Sequence, residues 1–320
     1  MVVDPHDETV SRRLLGSMTA GALDGFLTDA RGTAPTVGAD LLLGRHALGE
    51  AATAYRRALD DMAPGDPRRS RAVDSLLVAL EEDGHFEDCV RTFVDEGRRL
   101  PIDSPFTRLA YLGMICQASG GEAPWTKELA PAVELLLRAG AGVKDGALEQ
   151  RSGLYRRIAE IERGRGDTAA AKASTETRLG ILEAAWRKAP DAHARLADAA
   201  LFASAALDAG EPARAEAPLV RAEREVPEDL APPLRLATVY LALGRTGDAS
   251  AAAARARRNA AGAEARMRVA ELQANIATRL GDPEAARQRL REVVVALDGR
   301  LPPRLQPRMD KLKERLTRMK

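Results

Sequence analysis

The residues able to do chemistry are few and scattered. Two cysteines, Cys89 and Cys116, and four histidines, His6, His46, His85 and His193, are the only soft ligands or near-neutral bases in 320 residues. Two thiols cannot build a disulfide framework or a four-cysteine metal site. The histidines stand far apart, none with a partner four residues along a helix, so no zinc set is expected. Asp4, His6 and Asp7 gather around Pro5, and the cluster reads as a solvated turn. Ser17 lies in Gly16-Ser17-Met18, without the Gly-x-Ser-x-Gly elbow that presents a hydrolase nucleophile. Neither Gly-x-x-x-x-Gly-Lys-Ser/Thr nor Gly-x-Gly-x-x-Gly occurs in the sequence, which removes the commonest phosphate cradles. No catalytic residue, cofactor or metal is expected, and the chain reads as non-enzymatic.

What would position any side chain here is helix. Hydrophobic residues make up 45% of the chain, yet only two are Trp, four Tyr and five Phe, and alanine supplies much of the rest. Alanine, leucine, arginine and glutamate favour helices, whereas strands want β-branched and aromatic residues. Lys and Arg number 48 against 47 acids, so no global field draws nucleic acid or a membrane surface. The first residues, Met1-Val2-Val3 and then Asp4-Pro5-His6-Asp7-Glu8, lack the basic and apolar regions of a signal peptide. No apolar run approaches the roughly 18 residues of a membrane span. The most apolar stretch, Leu196 to Leu207, carries Asp198 and reads as a packed helix. A cytoplasmic location is expected.

A period near 34 orders the chain. Gly210-Glu211-Pro212-Ala213-Arg214-Ala215 aligns with Gly244-Arg245-Thr246-Gly247-Asp248-Ala249, at a spacing of 34. Leu219, Ala222 and Pro227 then match Ala253, Ala256 and Ala261, while Phe202, Ala203 and Ala206 upstream match Leu236, Ala237 and Tyr240. The register returns at Gly281 with Ala286, Leu290 and Val293, at Gly166 with Ala171, and at Gly84 with Cys89 and Phe93. Its shortest copy pairs Leu41 to Leu43 with Leu48, Ala51, Tyr55 and Ala58. This pattern resembles the tetratricopeptide repeat (TPR), in which two antiparallel helices cross on small residues and meet at a glycine turn. The resemblance implies an all-α fold, a right-handed α-solenoid of TPR-like helix pairs over residues 32–297, with about seven units. One irregular unit falls near 103–140, and the helix opening near Thr168 is expected to run to about Lys188. Leu305, Met309, Leu312 and Leu316 give residues 298–320 an amphipathic capping helix. Its arginines and lysines read as a solvated back rather than a nucleic-acid surface, because no aromatic is interleaved to stack on bases.

In this register Cys89 occupies the small-residue position held elsewhere by Ala171, Ala215 and Ala249, and Cys116 sits on an apolar helix. Both are expected as inert, buried thiols. A disulfide between them is open geometrically, but a reducing compartment disfavours it. His46 and His85 fall at or beside turns.

The TPR resemblance also implies a binding face, since the first helix of each unit lines the inner groove. That places Arg156, Glu160 and Arg163 inside from one unit, and Arg268, Glu271, Asn275 and Arg279 from the last. Between them come Ala200, Ser204, Leu234, Thr238 and Leu241, small or apolar. TPR clamps for a chaperone's terminal carboxylate use lysines and asparagines on successive first helices, and this sequence has one asparagine and no matching lysines there. An apolar floor with charged ends suits an extended or helical peptide. The implied function is a protein–protein interaction scaffold for a peptide or partner protein of unknown identity.

Residues 1–31 read differently. Val2-Val3-Asp4, a turn at Pro5 to Glu8, and Thr9-Val10 through Leu14-Leu15-Gly16 give a small N-terminal β-hairpin. Ser17 or Thr19 would then cap a helix with Leu23, Phe26 and Leu27. The order resembles the end of a thioredoxin-like domain without its Cys-x-x-Cys, an arrangement found ahead of helical repeats in bacterial proteins. It implies an alternative function, the C-terminal body of a thioredoxin-like oxidoreductase whose catalytic part is not in this chain. The hairpin edge is expected to fold onto the helix around Leu41 to Leu43 or to pair with a second copy as a homodimer.

Overall fold

The glycines that end the first helices show why the repeat folds as it does. Gly84, Gly166, Gly210, Gly244 and Gly281 take φ between 73° and 80°, where a Cβ is strained. In each turn the next residue donates its N–H to the carbonyl five positions back. His85 reaches Leu80 at 2.9 Å, Asp167 reaches Glu162 at 3.0 Å, Glu211 reaches Ala206 at 2.8 Å, and Arg245 and Asp282 reach Tyr240 and Ala277 at 2.9 Å. The first pair makes the same turn without a glycine: His46 sits at φ 58°, and Ala47 donates to Leu42 at 3.0 Å.

A computed structural model describes residues 2–3, 10–12, 36–63, 65–299, 301–302 and 305–319. Most of its helices come in antiparallel pairs. They are α1 Val37–Gly44 with α2 Leu48–Asp61, α3 Arg69–Glu82 with α4 Phe86–Gly97, and α5 Ser104–Ser119 with α6 Pro124–Gly142. Next come α7 Leu148–Gly164 and α8 Thr168–Lys188, and then α9 Ala192–Asp208 paired with α10 Glu216–Glu225. The last pairs are α11 Ala231–Ala242 with α12 Thr246–Asn259 and α13 Gly262–Arg279 with α14 Pro283–Leu297, followed by α15 Gln306–Arg318. A 3₁₀ turn, Pro212–Ala215, precedes α10. Pro218 has no N–H to give the carbonyl of Arg214, so the α-helix cannot extend back smoothly through this segment. The chain divides into two compact units, Met1–Ala171 and Lys172–Lys320.

The first unit packs large side chains. Tyr55, Leu76, Leu77, Phe93, Phe106, Leu137 and Leu154 are fully buried in one continuous core. The Tyr55 hydroxyl donates to Asp40 at 2.6 Å, and burial beside that carboxylate pushes the phenol well above its ordinary pKa. Arg69 grips Glu96 with two bonds of 2.8 Å and spends its remaining nitrogen on the carbonyls of Leu59, at 2.8 Å, and Met62, at 3.1 Å. Saturation of this kind is what a buried ion pair needs to offset its desolvation.

α4 and α5 approach so closely that a Cβ on Gly113 would lie 2.3 Å from the Phe93 ring. That approach brings the Cα atoms of Cys89 and Cys116 to 6.1 Å, and the two are joined in a disulfide. Both are fully buried, matching their apolar settings. They are not the free thiols that the compartment argument favoured. Crossing geometry decided the matter, because a Cα separation of about 4.4–6.8 Å is the bonding range.

The second unit is built on alanine. Ala199, Ala203, Ala206, Ala215, Ala237, Ala249, Ala252 and Ala253 lie at its crossings with 1% exposure or less. Towards its end Met267, Leu290, Met309 and Leu312 form a separate cluster in which α15 covers α13 and α14. The N-terminal expectation is not supported. The described residues there hold only a short antiparallel ladder, Val2–Val3 against Val10–Arg12. The helix around Leu23 to Leu27, the thioredoxin-like unit and a homodimer contact all call on residues outside the described ones.

Candidate partner-binding faces

In the first unit the candidate face is the exposed side of α7. Arg156, Glu160 and Arg163 follow one another at helical spacing and all three are exposed. Glu160 is shared by Arg157 at 3.3 Å and Arg156 at 3.9 Å. Arg163 makes no ion pair among the described residues.

In the second unit, α9, α11 and α13 carry the remaining candidates, and the structure separates them. Ser204, Thr238 and Leu241 are half-buried, with Ala200 beside them in the same state. The Thr238 hydroxyl donates back to the Leu234 carbonyl at 3.2 Å, within its own helix. Arg268 and Arg279 are exposed. Three residues change role. Leu234, only 7% exposed, packs with Ala256 and Val269 inside the protein instead of forming a groove floor. Glu271 and Asn275 are occupied by α15: Arg308 pairs with Glu271, and Arg315 donates to the Asn275 amide oxygen at 2.7 Å. The basic back of α15 is therefore partly turned inward onto α13. Lys313 and Arg318 are also paired, with Asp298 at 2.7 Å and with Glu314.

Arg235 on α11 belongs to this region and escaped the sequence reading. It is half-buried and makes no ion pair among the described residues. Burial first, and then the positive charge of Arg268, push its guanidinium below the ordinary arginine pKa. Two like charges thus share one neighbourhood. The signal was a lone polar residue inside Pro232-Pro233-Leu234-Arg235-Leu236.

Among the described residues no three His, Cys, Asp or Glu side chains gather as a metal site, and no helix is long and apolar enough to cross a membrane.

These features define a class, an all-helical protein of TPR-like helix pairs. The sequence matches no family model and no curated protein. Solved structures that this chain is similar to include TPR proteins. One is the C-terminal part of a TPR repeat-containing protein from Cytophaga hutchinsonii, with 14% identity and a TM-score of 0.47 over 83% of this chain and 96% of that one. Another is a tetratricopeptide repeat protein from Parabacteroides merdae, with 12% identity and a TM-score of 0.49 over 86% of this chain and 95% of that one. Likeness at that level leaves the assignment to this chain's own turns, spacing and small-residue crossings.

Proposed function

We propose that this chain is a non-enzymatic protein–protein interaction scaffold. In this reading its second unit holds an extended or helical peptide against the first-helix face made by Ser204, Thr238, Leu241, Arg268 and Arg279. The observation that carries it is Arg235 beside Arg268. A half-buried guanidinium with no acid partner among the described residues, disfavoured by a neighbouring like charge, gains most when a ligand supplies the carboxylate. The smaller side chains Ser204 and Thr238 leave room for a peptide backbone, and Leu241 offers apolar contact. Arg156, Glu160 and Arg163 on α7 form a second strip for a partner with alternating charge.

The test is selection of peptides from a displayed random library on the full chain, followed by affinities for wild type, Arg268→Glu and Arg235→Gln. Acid-containing peptides that lose tenfold or more on both folded variants are expected. Recovery of peptides indifferent to both substitutions, or of none, refutes the reading.

A further inference from the structure

Away from the first-helix face, α12, α13 and α14 enclose an open groove of about 680 Å³. Ala254, Ala277 and Leu280 line its apolar part, and Arg257, Arg258 and Arg289 stand at its rim. Leu280 is 55% exposed. Ile102, Leu135 and Val295 are exposed to a comparable or greater degree, and none of them lines this groove. The volume is in the range of sites that bury a few large side chains.

The rim carries more positive charge than its own acids cancel. Arg257 and Arg289 share one carboxylate, Glu292, at 3.4 and 3.3 Å. Arg258 makes no ion pair among the described residues. Asp282, the one acid in the lining, is already engaged, accepting the Ala285 N–H at 2.9 Å as the cap of α14. The floor offers no aromatic ring on which a nucleobase could stack. An apolar slot with a fork of guanidinium groups selects carboxylates flanking an apolar side chain.

We infer that this groove is a second docking surface, and that its occupant is an acidic amphipathic segment of a partner protein. One Leu or Phe of that segment rests on Leu280 and Ala277, one carboxylate pairs with Arg258, and another joins the Arg257–Arg289 pair. The surface uses none of the residues assigned to the first-helix face, so either site can fail without the other.

The experiment selects displayed random peptides on the full chain, with counter-selection on the double variant Leu280→Ser/Arg258→Glu. Affinities of the survivors are then measured for wild type, Leu280→Ser, Arg258→Glu and Arg268→Glu. Leu280 and Arg258 project outward, so both single variants should keep the wild-type melting temperature, checked by circular dichroism. The expected result is peptides rich in Asp and Glu around a Leu or Phe, bound at least tenfold more weakly by each single groove variant and unchanged by Arg268→Glu. Protection from hydrogen exchange should appear in α12 and the end of α13. Survivors that bind both groove variants as tightly as wild type, or an empty selection, overturn the inference. Retention of homopolymeric RNA that is lost in Arg258→Glu and untouched by Leu280→Ser also overturns it, assigning the rim to nucleic acid.

Discussion

Removing the bond between Cys89 and Cys116 is the sharpest test of how the first unit is held together. The bond spans 27 residues and joins α4 to α5. Closing a loop of that length in the unfolded chain has an entropic effect of about 3.5 kcal/mol at 25 °C, with measured disulfides commonly at about 2–4. Substitution adds little packing loss at Cys89, because equivalent positions in other units are Ala171, Ala215 and Ala249, all buried. Cys89→Ala, Cys116→Ala and the double variant should therefore lose nearly the same stability, about 2–4 kcal/mol each. A single change already breaks the bond. Two independent buried thiols would behave otherwise, with small losses that add in the double variant. The assay is urea unfolding of all four proteins, with maleimide labelling after denaturation in the absence of reductant. Wild type should take up no label until reductant is added. Two labels per chain without reductant, or additive single losses, would refute the bond and restore the reading of two inert thiols. Trapping thiols in cells at harvest extends the test to location. A bond already formed there belongs to an oxidising compartment rather than the cytoplasm.

Two further outcomes check other levels. Ala215→Leu and Ala249→Leu force four-carbon side chains into crossings with no exposure; each should cost about 1–3 kcal/mol, and an unchanged melting curve for both would break the assigned register. Asp66 is held down to a pKa of about 2, first by the Arg68 side chain and then by the Arg68 N–H. A depressed carboxylate stabilises the fold above its unfolded value, and that contribution disappears as pH falls through about 2. A carboxyl NMR titration should find that midpoint and its return towards 3.8 in Arg68→Ala.

The turns were legible because they are local. Five of the turns between successive helices place a glycine at φ near 75°, and small residues five positions later mark where helices cross. The long helix Thr168–Lys188 follows from the 44 residues between Gly166 and Gly210 by the same logic. His46 shows the limit. It was readable as a turn residue, but not as the occupant of the glycine conformation, which histidine adopts at some strain. The site was less legible because its outcome depends on helices far along the chain. Glu271 and Asn275 have the right helical spacing for an open face, yet Arg308 and Arg315, 37 and 40 residues later, take them. Leu234 likewise looks open until Val269 packs on it. Spacing within a helix names a face; only the neighbour decides whether that face is free.

The same reasoning separates informative arginines from ornamental ones. The second unit carries ion pairs that link one helix pair to the next, such as Arg255 to Glu223 at 2.6 Å and Arg245 to Glu216 at 2.8 Å. Pairs this exposed contribute about 0–1 kcal/mol each, so they help register more than stability, and the alanine crossings set the fold. Many other arginines are simply solvated. A guanidinium becomes a recognition candidate only when the protein also withdraws water from it or sets it against apolar surface. Arg235 meets the first condition, half-buried beside Arg268. Arg258 meets the second, at the rim of a groove that leaves Leu280 uncovered. In a chain whose 48 basic and 47 acidic residues nearly cancel, the proposed recognition depends on where those two charges are held rather than on net charge, so Arg258→Glu, at an exposed position, should change binding while leaving the melting curve in place.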